Sequence, residues 1–452
     1  MEITLLDGTT LQCEDEAFNA GAEAELFWTQ DKKSVIKLYY NPADHTLQTL
    51  KNIIGRYNLT TEDSARSPYF AWPDAVVTQP KLGIRMPAVE QAQPLDHYIR
   101  PSFWKQLPIT ERGSWQTRVS IAYRMARIIR WMHLRGLCHS DLSPKNFMVN
   151  IHTGQTTLID CDGLVVPNIQ PPSVLGTPQC MAPELVMGSA KPTVNTDKHA
   201  LAVLIYWTLL LRHPLQGPKV HHEDPEKDEQ SAFGDQALYI EHPTDHSNRP
   251  ERFPFTSELL TPAIQRLFER AFIEGLQRPA RRPSAAEWEV ALIRLADRVI
   301  PCLNDDCPMQ SYVVPETKSY ICPWCQTRYQ TDINQVPVLS LYRMGNKRGI
   351  YTSDNWSIIG LPNRPLRWHH IDAQQSPDLA TSTLPAAHFE LDGQGRWYLV
   401  NDGLSDALVL ANNQINPFRL GSRVELIDDA KILLGSGENY RMGQTKFEHL
   451  AP

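Results

Sequence analysis

The sequence predicts an α+β protein of more than one domain, and three observations carry that prediction. Hairpin-like and alternating segments come first, apolar residues at helical spacing dominate the middle, and strand-like runs broken by Gly, Asn and Asp turns fill the chain from about Val336. At 452 residues the chain exceeds what one hydrophobic core organises, so two or three domains are expected.

In chain order, Ile3 to Leu11 reads as a hairpin around Asp7-Gly8, and Lys33 to Tyr39 alternates like a strand. From Arg118 to His133 the residues Ile121, Met125, Ile128, Ile129 and Met132 recur at helical spacing, and a second apolar helix is expected over about 197–211. The polar stretch of about 218–250 reads as an exposed insertion, followed by an amphipathic helix over 261–272 and another ending near Val299.

A net charge of −7 with 21% charged residues leaves no general basic field, so nucleic acid is not expected as a main ligand. The N-terminus lacks a basic region followed by an apolar core, and the longest apolar run, Leu201 to Leu211, is about half a membrane span. A soluble, cytoplasmic protein without a membrane partner is the expectation. Of eight cysteines, Cys13, Cys138, Cys161 and Cys180 are scattered, whereas Cys302, Cys307, Cys322 and Cys325 form two close pairs. Two turns carrying such pairs converge four thiolates on one structural Zn²⁺; disulfides are the second reading of the same spacing.

The chemistry concentrates earlier. His139-Ser140-Asp141-Leu142-Ser143-Pro144-Lys145-Asn146 sets Asp141 and Asn146 five apart. Nineteen residues beyond Asp141, the strand Thr157-Leu158-Ile159 ends in Asp160-Cys161-Asp162-Gly163, and the run Gly176-Thr177-Pro178 leads to Ala182-Pro183-Glu184. These segments resemble the catalytic loop, the metal-binding loop and the end of the activation segment of protein kinases. The resemblance implies a two-lobed protein-kinase-like fold over residues 1–298, with a small lobe of about 1–86 and a large lobe of about 90–298. It implies ATP with Mg²⁺ or Mn²⁺, Asp141 accepting the substrate hydroxyl proton, and Asn146 and Asp160 as metal ligands with Asp162 secondary. Lys145 supplies the cation lost at Ser143. Glu184 is expected to pair with Arg282, and Asp197 to brace the catalytic loop.

The small lobe matches less closely. Lys37 in Val35-Ile36-Lys37 resembles the phosphate-binding lysine, and Phe18 to Phe27 falls where a glycine-rich loop belongs, though only Gly21 of three glycines remains. Segment 42–57 holds Gln48 and no glutamate, so the partner of Lys37 is expected to be Gln48 or the more distant Glu62. Met86-Pro87-Ala88-Val89 is the expected adenine hinge; Pro87 has no N–H, which leaves Ala88 or Val89 as donor. Ser140 stands where many kinases place an arginine that grips an activation-loop phosphate, so that switch is not expected.

The cysteine pairs resemble a zinc ribbon, taken as 299–332, whose closed site acts as a folding staple or docking module. In the tail, 336–452, segments such as Trp356 to Gly360, Arg396 to Ser405 and Leu420 to Leu426 resemble a forkhead-associated β-sandwich. Leu361, Pro385 and Asp406-Ala407 replace that family's phosphate-binding residues. Arg364 and Arg367 are the remaining candidates for a phosphate, and a plain protein-interaction surface is the favoured reading. Together these features resemble bacterial serine/threonine kinases that accompany a von Willebrand factor A protein and a metal-dependent phosphatase in tellurite-resistance-associated phosphorylation triads. The expected function is a protein kinase in bacterial phosphorylation signalling or stress response. The alternatives are a pseudokinase scaffold that binds nucleotide weakly and docks partners, and, behind it, a small-molecule kinase.

Overall fold

Alternation in the first ninety residues becomes a seven-stranded antiparallel sheet. Strands β1 (Glu2–Leu5) and β2 (Thr10–Gln12) close the expected hairpin, with Gly8 at φ +86° in its turn. They are followed by β3 (Asn19–Ala20), β4 (Ala24–Trp28), β5 (Ser34–Tyr39), β6 (Ala75–Gln79) and β7 (Gly83–Pro87), in the spatial order β2-β1-β6-β7-β5-β4-β3. Successive side chains of a strand face opposite ways. On β5, Ile36 and Leu38 therefore pack with Ile3, Leu5 and Val77, whereas Val35 and Tyr39 pack with Leu50 of the helix Thr46–Ile54.

This computed structural model describes residues 1–165, 176–219, 224–252, 255–315, 320–329, 335–345, 349–376, 384–411 and 414–450. The chain divides into two units. The first comprises Met1–Arg112, Ile121–Ser257 and Gln265–Glu289; the second comprises Gly113–Ser120, Glu258–Ile264 and Val290–Pro452.

Helical periodicity is realised in Trp115–Leu134, where Ile121, Met125, Ile128, Ile129 and Met132 are fully buried. The helix Val194–Leu210 is apolar on nearly every face and starts at a capping box in which Thr193 and Thr196 exchange side-chain bonds to backbone amides. The 261–272 helix is observed as Pro262–Glu269 continuing into a π turn, Arg270–Glu274.

The stretch of 218–250 corrects an expectation. Residues 220–223 lie outside the described residues; the rest is exposed in part, as at 243–247, but is not an exposed insertion throughout. It carries the helix Pro225–Phe233 and buries Ala232, Phe233, Tyr239 and Ile240. Tyr239 packs edge-on against Tyr206 at 5.9 Å and beside Phe272 at 5.3 Å. A few large apolar anchors hold a segment whose average composition is polar.

A small antiparallel sheet of β8 (Gln93–Pro94), β9 (Phe147–Val149) and β10 (Thr156–Leu158) runs in the order β10-β9-β8. Phe147 pairs with Leu158, so the loop entering β9 and the loop leaving β10 emerge at the same end of one hairpin. Those two loops carry the motifs.

In the second unit, β11 (Val299–Pro301) pairs with β12 (Ser311–Val313) beside the cysteines. Beyond them, the described residues form two antiparallel sheets, and among them the tail is all-β as expected apart from the short helix Trp368–Ile371. One sheet is built on the long pairing of Gln335–Met344 with Tyr351–Ile359 and with Met442–His449. Segments 316–319 and 330–334 of the cysteine module lie outside the described residues. Arg364 does not stand free for a phosphate. Its guanidinium donates to the carbonyls of Asp297 (2.9 Å), Ile359 (2.8 Å) and Val299, which commits it to backbone acceptors.

Candidate active site

The loop before β9 is held from below by Asp197. Its Oδ2 accepts the His139 amide at 2.9 Å and lies 3.3 Å from His133 Nε2, while its Oδ1 accepts the Cys138 thiol at 3.2 Å. His139 Nε2 lies 3.2 Å from the Ile159 carbonyl, and the Ile159 amide donates to the Asn146 carbonyl, which ties the two motif loops together. Ser140 and Asp160 both adopt left-handed backbone, φ +64° and +63°, each a conformation that costs of order 1 kcal/mol for a non-glycine residue. Gly176 has to be glycine: at φ +116°, an added Cβ would lie 2.9 Å from the Ser140 carbonyl oxygen.

Both oxygens of Asp141 are oriented. The Thr177 hydroxyl donates to Oδ1 at 2.8 Å, and Asn146 Nδ2 donates to the Asp141 carbonyl at 2.8 Å and reaches Oδ2 at 3.4 Å. Lys145 is exposed beside them. Thr177 was not singled out by the sequence, although the Gly-Thr-Pro run contains it.

Lys37, on β5 of the seven-stranded sheet, reaches the loop after β10. Its Nζ lies 2.5 Å from Asp160 Oδ1 and 2.8 Å from Asp162 Oδ2, and the Tyr39 hydroxyl donates to the same Oδ2 at 2.5 Å. Burial works against the ammonium charge, yet Asp162 and Asp160 outweigh it and hold the Lys37 pKa above its usual value. Burial and the neighbouring Asp162 push the Tyr39 phenol well above its ordinary range, so it stays a donor. Both expected partners of Lys37 are corrected. Gln48 is exposed and bonds Asn52 at 3.3 Å, one helical turn along, and Glu62 pairs with Arg66 and Arg135. Strand alternation places Tyr39 on the face of Lys37.

Lys37, Tyr39, Asp141, Asp160 and Asp162 line a cleft of about 460 Å³ together with Ala22, Glu23, Thr46, Thr49 and Leu50. Four carboxylates, Glu23, Asp141, Asp160 and Asp162, face one lysine there, a balance that suits cations. The residues fit Mg²⁺ or Mn²⁺. Asp162 Oδ1 is buried with no hydrogen bond among the described residues, Asp160 is 41% exposed at the cleft, and the Asn146 amide adds a neutral oxygen.

Gly21 lies in the turn between β3 and β4, and its amide donates to the Ala24 carbonyl. Met86 is a core side chain of β7. The Ala88 amide donates to the Lys33 carbonyl at 3.0 Å, while Ala88 and Val89 border a second cleft of about 390 Å³.

In the second unit the thiols of Cys302, Cys307, Cys322 and Cys325 lie within 4.8 Å of one another. The Cys302–Cys325 and Cys307–Cys322 sulfurs are 3.5 and 3.7 Å apart, far beyond a disulfide and close to the ~3.8 Å edge of a tetrahedron of sulfurs around Zn²⁺. Burial raises the Cys302 thiol to about 11; at Cys325 burial is outweighed by the Thr327 hydroxyl and amide, which bring it down to about 6.

Residues 70–287 match the model of the protein kinase domain. The chain is similar to Serine/threonine-protein kinase PknD of Chlamydia abortus, 30% identical over an alignment of 136 residues that covers 25% of this chain and 14% of that protein. The Dual serine/threonine and tyrosine protein kinase of Apis mellifera is 34% identical over 100 residues, 22% of this chain and 10% of that one. Protein kinase gsk31 of Schizosaccharomyces pombe is 31% identical over 86 residues, 19% of this chain and 23% of its own length. The chain thus spans only a minor part of these relatives. Among the described residues, no helix is long and apolar enough to cross a membrane.

Proposed function

We propose that the chain is an ATP-dependent protein serine/threonine kinase. The observation that carries the reading is the meeting of Lys37, from the seven-stranded sheet, with Asp160 in a cleft that also holds Asp141. Phosphoryl transfer asks the protein mainly for positioning and charge. Asp141, fixed by Thr177 and Asn146, orients the substrate hydroxyl and takes its proton. Lys37 binds phosphate oxygens, and exposed Lys145 offers a cation to the charge that develops on the transferred group. Asp160, Asn146 and Asp162 are the residues to hold Mg²⁺ or Mn²⁺, which neutralises phosphate charge when bound. Gly21 and its neighbours cover the phosphates. Since the Ala88 amide is committed to Lys33, Val89 is the hinge donor for adenine, with Met86 behind it.

Similarity to PknD supports the serine/threonine class. The domain borders are placed at 298/299 and near 332–336, with the four cysteines as a structural Zn²⁺ ribbon and the tail as a forkhead-associated-like interaction domain. The proposed setting is bacterial cytoplasmic signalling, with protein substrates and neither nucleic acid nor membrane as partner; the four buried free thiols of the first unit suit a reducing compartment. The von Willebrand factor A protein and metal-dependent phosphatase are proposed partners in a tellurite-resistance-associated system, resting on the motif resemblance alone.

The test is transfer from labelled ATP with Mg²⁺ or Mn²⁺ by the purified chain, compared with Asp160→Ala. Metal-dependent labelling of the chain, a generic substrate or a von Willebrand factor A protein, lost in the variant, supports the reading. No labelling of any of them refutes it.

A further inference from the structure

Lys37 and Tyr39 occupy one face of β5, the face that packs under the helix Thr46–Ile54. That helix brings no carboxylate to the lysine. The residues it presents to the cleft are Thr46, Thr49 and Leu50, while Gln48 turns to Asn52. Negative charge arrives instead from the loop after β10, and its two carboxylates are not equivalent. The Asp162 side chain is 5% exposed and its Oδ2 accepts from both Lys37 and Tyr39; the Asp160 side chain is 41% exposed. Moving a desolvated carboxylate away from two donors is costly, whereas an exposed one exchanges its partner for a cation or water cheaply.

We propose that Asp162, held by Tyr39, is the fixed counter-ion that positions Lys37 for the nucleotide phosphates, while Asp160 is the carboxylate that leaves Lys37 for the cation. This inference rests on the kinase reading above. An ammonium has three donors. With Asp160 and Asp162 both engaged one remains, and release of Asp160 leaves two for phosphate oxygens while Asp162 Oδ2 still anchors the third. Asp162 Oδ1, without a described partner, is the atom left to face a cation. The lysine is thus positioned from within the metal-binding loop, and the helix Thr46–Ile54 need not move to complete the pair. Tyr39 and Asp162 act here as positioning residues.

The experiment measures Mg²⁺-ATP binding by calorimetry and steady-state transfer for the full chain, with thermal unfolding as the check on folding. Asp162→Asn is expected to weaken Mg²⁺-ATP binding about ten- to a hundredfold and Tyr39→Phe about three- to tenfold, the loss of a charge-assisted or an ordinary hydrogen bond. Asp160→Asn is expected to keep metal-free ATP binding at least as tight as the parent and to lose metal-dependent transfer. Thr49→Glu, which places a carboxylate on the helix where the cleft is lined, is expected to restore Asp162→Asn and Tyr39→Phe to within about threefold of parental binding and to leave Asp160→Asn unrescued. Parental binding by both Asp162→Asn and Tyr39→Phe, or no rescue by Thr49→Glu, overturns the proposal. If Asp162→Asn does not fold, Tyr39→Phe and its Thr49→Glu combination decide. A chain that binds ATP but transfers nothing refutes the kinase reading, while the binding comparison still decides the role of Asp162.

Discussion

Arg282 grips Glu184 through two parallel hydrogen bonds, Nη1 to Oε1 and Nη2 to Oε2, each 2.7 Å long. The same guanidinium donates from Nε to the Gly275 carbonyl at 2.8 Å, and from its two terminal nitrogens to the carbonyls of Asn195 and Leu276. Lysine cannot reproduce such a fork. Arg282→Lys keeps the charge but loses the second bond of the fork and the bonds to backbone carbonyls, and is expected to destabilise the first unit by about 1.5–3 kcal/mol. Chemical denaturation checks this, and an unchanged midpoint would contradict it.

Asp197 uses two oxygens for three groups of the catalytic-loop region, the His139 amide, the Cys138 thiol and the His133 ring. Asparagine offers only one acceptor oxygen in nearly the same shape. In Asp197→Asn the loop loses its brace, so Asp141, the proposed base, is displaced while the proposed nucleotide contacts of Lys37 persist. A fall in kcat of about a hundredfold with little change in KM for ATP is expected, a cost typical of displacing a catalytic group by about 1 Å. Parental kcat in steady-state assays would refute it.

How much of this was legible in the sequence depended on whether a residue acts through its own motif or through a distant neighbour. Asp141, Asn146 and Asp160 sit at fixed spacings from a hairpin, so their convergence could be read directly, as could the pairing of Glu184 with Arg282. The partner of Lys37 could not. Segment 42–57 holds no glutamate and offers only Gln48, with Glu62 more distant, whereas the charge comes from Asp162, 125 residues away. Tyr39 was readable from alternation alone, but only once Asp162 was known to need a donor. Arg364 failed for a related reason: nothing local shows that three backbone carbonyls, two of them more than sixty residues away, claim its guanidinium.

The thiol geometry predicts about one Zn²⁺ per chain, measured by a chromogenic chelator after unfolding. Chelation is expected to lower the thermal stability of the second unit, and Cys307→Ser, which removes a fully buried ligand, to abolish stoichiometric zinc. A reducing agent without chelator should change neither, because the sulfurs are too far apart for disulfides. Zinc-free protein with parental stability would overturn the assignment.

His213 gives the first unit an acid limit. Its ring is buried, its Nδ1 accepts the Leu215 amide at 3.1 Å, and its Nε2 lies 2.8 Å from the Gln179 carbonyl, an arrangement that only the neutral ring protonated at Nε2 satisfies. Burial lowers its pKa from 6.5 to about 4, partly opposed by the bond to Gln179. The unfolded chain therefore takes up a proton below about pH 6.5 that the folded chain refuses until about pH 4. Stability falls as pH drops through that window, by about 3 kcal/mol in total, and levels off for this residue below it. Buried His199, lowered in the same direction by burial first and Arg282 second, adds to the slope. His213→Gln, which offers a donor to Gln179 without a basic ring, is expected to flatten part of the pH dependence. Denaturation midpoints between pH 4 and pH 7 that fall equally steeply in variant and parent would show that His213 does not set the limit.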